Sequence, residues 1–380
     1  MLNVFYYPYQ GGTEEHLRHV SEGLVKKGYD VSVVCCQSPG TKPGVEVING
    51  VKVIRVKAFI LKNTPALIPP PVPIAPGLLD AIIDEVQGAD IVHIHNRFFF
   101  SFLDIKKLKR KYKCKFAITL HNAKPHGIEP LTDVLGGVYD DLVGSRIISA
   151  CDLVAAVSKD TLKTTCPKGY RGKKAIFYNA VDTSYFKPDA DGAKFRSKLK
   201  IEDKKVILFV GRLMPQKGIE YLIDAMPLVK QKIPNAHLVV HGWGPLLKTL
   251  QKRATQVDKG SITVLFDPDF NKDRRQIFAS CDVFCAPSLW EPFGLVLIEA
   301  MACGKPIVSS KVGGIPEIVD STFGVLVKPK DVKGIANALM HVLTSNTKQL
   351  GLAARKVTEK RFIWPNTVTC YDTQYKALLK

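Results

Sequence analysis

The sequence predicts an α/β protein of two domains, each built on a parallel sheet covered by helices. Strand-length apolar runs alternate with helix-length amphipathic segments through most of the chain, the pattern of strands joined by crossover helices. The alternation comes as two successive series separated by a polar stretch. The length, 380 residues, exceeds what one hydrophobic core usually organises. With 46% hydrophobic and 23% charged residues, the composition is that of a globular protein able to bury large cores.

In the first series, strands are expected near Val31 to Cys35, Val51 to Val56, Ile91 to Ile94, Phe116 to Leu120 and Leu153 to Val157. Only Met1 to Tyr6 precede the glycine pair Gly11-Gly12, so the leading strand is short. The second series runs through Val206 to Val210, His237 to His241, Ile262 to Phe266, Val283 to Ala286 and Pro306 to Ser309. Between them, Asn179 to Lys205 reads as a linker, which gives a first domain of residues 1–188 and a second of 189–363. Pro65 to Pro76 breaks the rhythm. Its prolines forbid helix and interior strand, leaving an extended apolar loop, either packed on its own domain or used as an acceptor or membrane contact.

The formal charge of +19 favours anionic partners: nucleotide phosphates, acidic lipid surfaces or nucleic acid. Nucleic acid is set aside, because no recognised binding module is present and the positive residues are spread through both halves. The nine cysteines include no CxxC pair, which points away from zinc and redox dithiols and towards a reducing, cytoplasmic compartment. Cys281 and Cys285 read as small buried hydrophobes. No run is long and apolar enough for a transmembrane helix, and no basic-then-apolar leader opens the chain.

The most informative stretch is Glu291-Pro-Phe-Gly-Leu-Val-Leu-Ile-Glu299, closed by Gly304. Pro292 is read as the first helical position. That puts Glu299 about two turns in, roughly 10 Å along the axis. Glu291 can then meet a sugar at the helix mouth while Glu299 reaches a ribose. The amides of Phe293, Gly294 and Leu295 would face a phosphate, which the helix dipole also favours. Gly211-Arg212-Leu-Met-Pro-Gln-Lys217-Gly218 follows an apolar strand, at the sheet end where ligands bind in open parallel sheets. Arg212 offers a fork and Lys217 a compact charge, two cations for a departing diphosphate. Gly242 and Gly244 follow the next strand, where glycine permits close backbone approach to a ligand.

In the first half, Gly11 and Gly12 open a helix, as a phosphate cradle or as a tight turn. They form neither a GxGxxG fingerprint nor a Walker loop. His93 and His95 alternate along one strand and lack further evident ligands, so no metal site is expected. His121 ends a strand, where an imidazole can hydrogen-bond substrate hydroxyls.

These landmarks, with Asp90 to His95, Thr119 to His121 and Asn179 to Asp182, occur in the order of the retaining GT-B glycosyltransferases of family 4, and the chain resembles that family over nearly its whole length. The resemblance implies two Rossmann-like domains facing across a cleft, and metal-independent transfer of a sugar from a nucleotide-diphosphate donor, with UDP and GDP sugars the expected donors and no cofactor. It implies that Arg212 and Lys217 hold the diphosphate, Glu299 the ribose and Glu291 the sugar hydroxyls, that Gly12 approaches the phosphates and that His121 contacts the sugar. The departing phosphate would take the acceptor proton. Residues 364–380, opening on Trp364-Pro365, resemble the family helix that crosses back to the first domain. The stretch Phe266-Asp-Pro-Asp-Phe270 lacks the glycine-containing turn common in the family, near where the base is commonly recognised.

The acceptor is a sugar, a growing glycan or a lipid-linked molecule. The basic run Lys106 to Lys115 beside Phe98, Phe99, Phe100, Phe102 and Leu103 makes an anionic membrane surface a candidate partner, with peripheral attachment to its inner face. A solvated helix serving a soluble acceptor is the alternative. The same fold also serves sugar-nucleotide epimerases, the competing activity.

Overall fold

The computed structural model describes residues 1–9, 11–61, 72–123, 134 and 137–380. The chain forms two compact units: the amino-terminal part through Asn179 together with Trp364–Lys380, and Ala180–Ile363. Residues 180–188, expected in the first domain, are thus part of the second unit. Local bonding explains this: Val181 bridges Ile363, its N–H donates to the Phe362 carbonyl at 2.9 Å, and Arg355 Nη1 donates to the Phe186 carbonyl at 2.6 Å.

The first unit holds β1 (Ser32–Cys36), β2 (Gly44–Ile48), β3 (Val51–Val56), β4 (Phe59–Leu61), β5 (Val72–Ile74), β6 (Ile91–Ile94), β7 (Lys115–Leu120), β8 (Leu153–Ala156) and β9 (Lys173–Ile176). The orders β1-β3-β2 and β6-β7-β8-β9 are joined by the opening residues, because Leu2 pairs in parallel with both Val34 and Ile94. The sheet is buried on both faces. Along β1, Val33 and Cys35 enter one core while Val34 and Cys36 enter the other, and β7 and β8 divide the same way. This is the alternation that a doubly covered sheet requires.

The second unit holds β10 (Lys205–Val210), β11 (Ala236–His241), β12 (Ile262–Leu265), β13 (Val283–Ala286), β14 (Ile307–Ser310) and β15 (Gly324–Val327). All are parallel, in the order β12-β11-β10-β13-β14-β15. Numbered along the chain this is 3-2-1-4-5-6, the doubly wound order. Cys281 and Cys285 are buried in this unit, and burial pushes the Cys281 thiol up to about 12.

The ten expected strands are present within a residue at either end. Five others were not expected: β2, β4, β5, β9 and β15. The residues of β2 are nearly all exposed and the first two of β9 are exposed lysines, so neither shows a buried apolar run. The end of the proline-rich segment is the strand β5, paired with β4, which corrects the expected loop there; proline is tolerated at sheet edges. Residues 65–71 of that segment lie outside the described residues. Among the described residues no helix is long and apolar enough to cross a membrane.

Candidate active site

In the second unit, β10 and β13 lie side by side although three crossovers separate them in sequence. The chain leaves β10 towards one edge of the sheet and β13 towards the other, which opens a crevice at their carboxyl ends. Gly211 to Gly218 emerges on one side of this point and Pro287 to Gly294 on the other. The two loops are knitted together. Leu289 N–H donates to the Gln216 carbonyl at 2.8 Å. Gly218 has φ +60, and a Cβ there would lie 2.3 Å from the Pro287 carbonyl oxygen. Across this seam Lys217 Nζ meets Glu291 Oε2 at 2.5 Å, both side chains largely buried.

A second glycine turn holds Glu291 from behind. Gly314 N–H donates to the Glu291 carbonyl at 3.1 Å. Gly313 has φ +51, and a Cβ there would come within 2.0 Å of the same oxygen. Sequence reading missed this pair, because nothing in Val312-Gly313-Gly314 reveals that the turn packs on a loop so far away in sequence.

The helix expected from Pro292 instead spans Leu295–Ala302. Gly294, at φ +110 and ψ 60, takes a left-handed conformation that interrupts any helical run begun at Pro292. Phe293 and Gly294 therefore precede the helix, and Glu299 stands about one turn in, roughly 6 Å along the axis, not two. Phe293 is 2% exposed and packs edge-on against Phe362. Gly304 ends the helix as expected, with φ +68 and its N–H on the Met301 carbonyl at 2.9 Å. Glu299 sits among buried Leu297, Ile298, Ala300 and Met301. It is gripped by a fork that sequence reading missed: Arg274 Nη1 at 2.9 Å from Oε2 and Nη2 at 2.8 Å from Oε1.

Arg212 is exposed and makes no ion pair among the described residues, which leaves its guanidinium available to an anion. Gly242 and Gly244 lie against the neighbouring loop. A Cβ on Gly242 would meet the Gly211 carbonyl oxygen at 1.9 Å, and one on Gly244 the Leu213 carbonyl oxygen at 2.5 Å. The glycines thus let the loop after β11 close on the loop that carries Arg212, and Leu213 N–H donates to the Trp243 carbonyl at 2.8 Å. This unit therefore gathers two cations, two carboxylates and a helix start at one sheet end, chemistry suited to a phosphorylated, hydroxylated ligand.

Gly11, Gly12 and His121 lie in the first unit. Gly12 opens the helix Gly12–Val25, with Gly11 extended at its cap. A Cβ on Gly11 would press on the Glu14 carboxylate, and burial pushes that carboxyl above its ordinary range. His121 directly follows β7 and joins a buried polar network. Its Nε2 lies 3.1 Å from His95 Nδ1. His16 pairs with Asn179 Oδ1 at 2.7 Å and with the Tyr371 hydroxyl at 2.9 Å. His93 pairs with the Tyr375 hydroxyl at 2.6 Å and with Thr119 Oγ1 at 2.8 Å. Burial holds all four imidazoles well below their ordinary pKa, that of His16 at about 4, and so keeps them neutral. One nitrogen each of His16, His95 and His121 lies within 4.8 Å of the others, so of the His93 and His95 pair weighed from sequence it is His95 that joins this cluster, while the His93 ring stacks on it at 4.6 Å. His16 has both nitrogens engaged by protein partners, and one short contact already joins the other two rings.

Residues 10–185 match the family model Glycosyltransferase Family 4 and residues 191–357 match Glycosyl transferases group 1. An uncharacterised glycosyltransferase of Methanocaldococcus jannaschii is 30% identical, over 97% of this chain and 95% of that protein. One component of the phosphatidylinositol N-acetylglucosaminyltransferase of Arabidopsis thaliana is 25% identical, over 99% of this chain and 82% of that protein. The crystal structure of Anabaena HepE in complex with UDP-glucose superposes with a TM-score of 0.74 at 21% identity, over 99% of both chains.

Proposed function

The chain belongs to the group 1, family 4 glycosyltransferases of GT-B fold, and from that premise we propose that it transfers a hexose, with retention, from a UDP or GDP sugar to a lipid-linked acceptor at an anionic membrane surface. The observation that carries the donor half of this reading is the seam between the loops after β10 and β13. There Lys217 and Glu291 meet, with Arg212 on the same loop as Lys217 and Glu299 in the helix that follows the Glu291 loop.

In the proposed reaction Arg212 and Lys217 bind the diphosphate and stabilise the charge that grows as it departs. Glu299 accepts from the ribose hydroxyls and Glu291 from the hydroxyls of the transferred sugar. Gly242, Gly244 and the backbone from Phe293 to Leu295 shape the phosphate site. The acceptor oxygen attacks the anomeric carbon from the face that the diphosphate leaves. The new C–O bond forms as the anomeric C–O(phosphate) bond breaks, and the departing phosphate oxygen takes the acceptor proton. The pairing of Glu291 with a lysine suits a carboxylate that binds hydroxyls better than one that attacks carbon. With two side-chain cations on the diphosphate, charge stabilisation needs no metal.

A lipid-linked acceptor is supported by the surface of the first unit. Helix Ile105–Tyr112 buries Ile105 and Leu108 and exposes Lys106, Lys107, Arg110 and Lys111. Nearby in sequence Phe102 is 51% exposed and Phe98 37%. Cationic side chains beside apolar ones are what an anionic bilayer binds. The phosphatidylinositol named for the Arabidopsis relative points the same way.

The decisive experiment screens UDP and GDP sugars for thermal stabilisation of the protein, then measures nucleoside diphosphate release with and without acceptor lipid. Transfer predicts release that depends on the acceptor. Conversion of the nucleotide sugar to its epimer with no acceptor present would instead establish epimerisation.

A further inference from the structure

We propose that Arg274 is a positioning residue for donor binding, which holds the Glu299 carboxylate correctly turned for the ribose; this rests on the donor-site reading above. A carboxylate one turn inside an apolar helix is costly to keep charged unless a cation and hydrogen bonds compensate. Glu299 keeps only a tenth of its side-chain surface exposed, and its neighbours Leu297, Ile298, Ala300 and Met301 are all buried. The Arg274 fork, at 2.9 and 2.8 Å, supplies the cation and fixes the plane of the carboxylate, as a planar guanidinium does and an ammonium does not.

Arg274 is itself held in place. It opens the helix Arg274–Ala279, and its guanidinium lies 5.5 Å over the ring of Phe186. That ring packs edge-on against Phe278 of the same helix. The adjacent Arg275 makes a separate fork with Asp273, at 2.7 and 2.9 Å, and stacks on Tyr185. Two consecutive arginines thus serve two different carboxylates. Arg274 pairs with Glu299 and Arg275 with Asp273.

The test measures binding of UDP and 2′-deoxy-UDP, and of GDP and 2′-deoxy-GDP, to the full chain by calorimetry. Wild type should prefer the ribonucleotide by about tenfold, the worth of one charge-assisted hydrogen bond. R274A should bring the ratio close to one, R274K should restore part of it, and R275A should leave it at the wild-type value. A purely structural role would weaken both nucleotides equally and keep the ratio. If R274A does not fold, R274Q carries the same expectation. An R274A that keeps the wild-type ratio while E299A loses it overturns the positioning role and leaves the ribose role of Glu299 standing. An E299A that keeps the ratio overturns the ribose assignment itself, and the role of Arg274 with it.

Discussion

Lys217 and Glu291 compensate each other's charge at 2.5 Å, so removing either leaves an ion largely buried without its partner. In the proposed mechanism Lys217 acts most strongly when the leaving diphosphate gains charge. K217A should therefore lower kcat by roughly 10²- to 10³-fold while changing donor affinity less than about tenfold. E299A should do the reverse, raising the donor KM by about tenfold or more with a smaller effect on kcat. Steady-state kinetics with a varied donor separates the two, and wild-type turnover in both variants would remove the site. Gly313 offers a backbone test. A side chain there must accept φ +51 and a 2.0 Å approach to the Glu291 carbonyl oxygen, so G313A should shift the Glu291 loop and cut activity at least tenfold, although residue 313 carries no chemistry of its own. Lys217 and Glu291 were legible as candidate residues from their types and spacing. Their contact was not, because it depends on two strands far apart in sequence becoming neighbours.

At the level of elements, the helix Leu295–Ala302 shows how one residue moves a boundary. Proline suits a helix start, and Pro292 in the sequence predicts one. The left-handed turn at Gly294 delays it by three residues and brings Glu299 a turn closer to the helix mouth. Helix Ile105–Tyr112 is legible from its pattern, with Ile105 and Leu108 inward and lysines outward. The aromatic residues before it divide in a way the sequence does not reveal: Phe100 is fully buried, whereas Phe102 is half exposed. The membrane proposal belongs to this helix. The protein should float with vesicles containing about one third anionic lipid at moderate salt, and not with neutral ones. Charge reversal of Lys106, Lys107, Arg110 and Lys111 together should lower the bound fraction at least tenfold without loss of donor binding, given about 1 kcal/mol per basic residue at such a surface. Equal flotation of this variant and wild type would remove the basic helix from membrane attachment.

For the molecule as a whole, the buried histidines predict how stability depends on pH. His16, His93, His95 and His121 are neutral in the folded first unit because burial depresses their pKa. An unfolded chain protonates them below their ordinary value of 6.5. Between that value and about 4, where His16 titrates in the fold, the unfolded state binds more protons, so stability is full above pH 6.5 and falls as the pH drops. Each histidine contributes up to about 1.4 kcal/mol per pH unit. Melting temperatures should therefore decline between pH 6.5 and 4.5, before an ion-paired carboxylate such as Glu15, held at about 2, begins to protonate. A melting temperature constant over that interval would contradict the neutral network.

The two α/β units, their ten principal strands and the family could all be read along the chain, because strand burial and loop chemistry are local patterns of period and composition. The strands hidden from that reading are short, edge-placed or exposed, and carry no such period. What the fold alone decided is partnership: Lys217 with Glu291, Arg274 with Glu299, Gly313 under the Glu291 loop, and His16 with Asn179 and Tyr371. Each joins segments brought together by sheet order or by the return of the last helix to the first unit. Contacts of that kind leave no periodic trace in sequence, since the free energy that selects them is released only when the whole sheet has assembled.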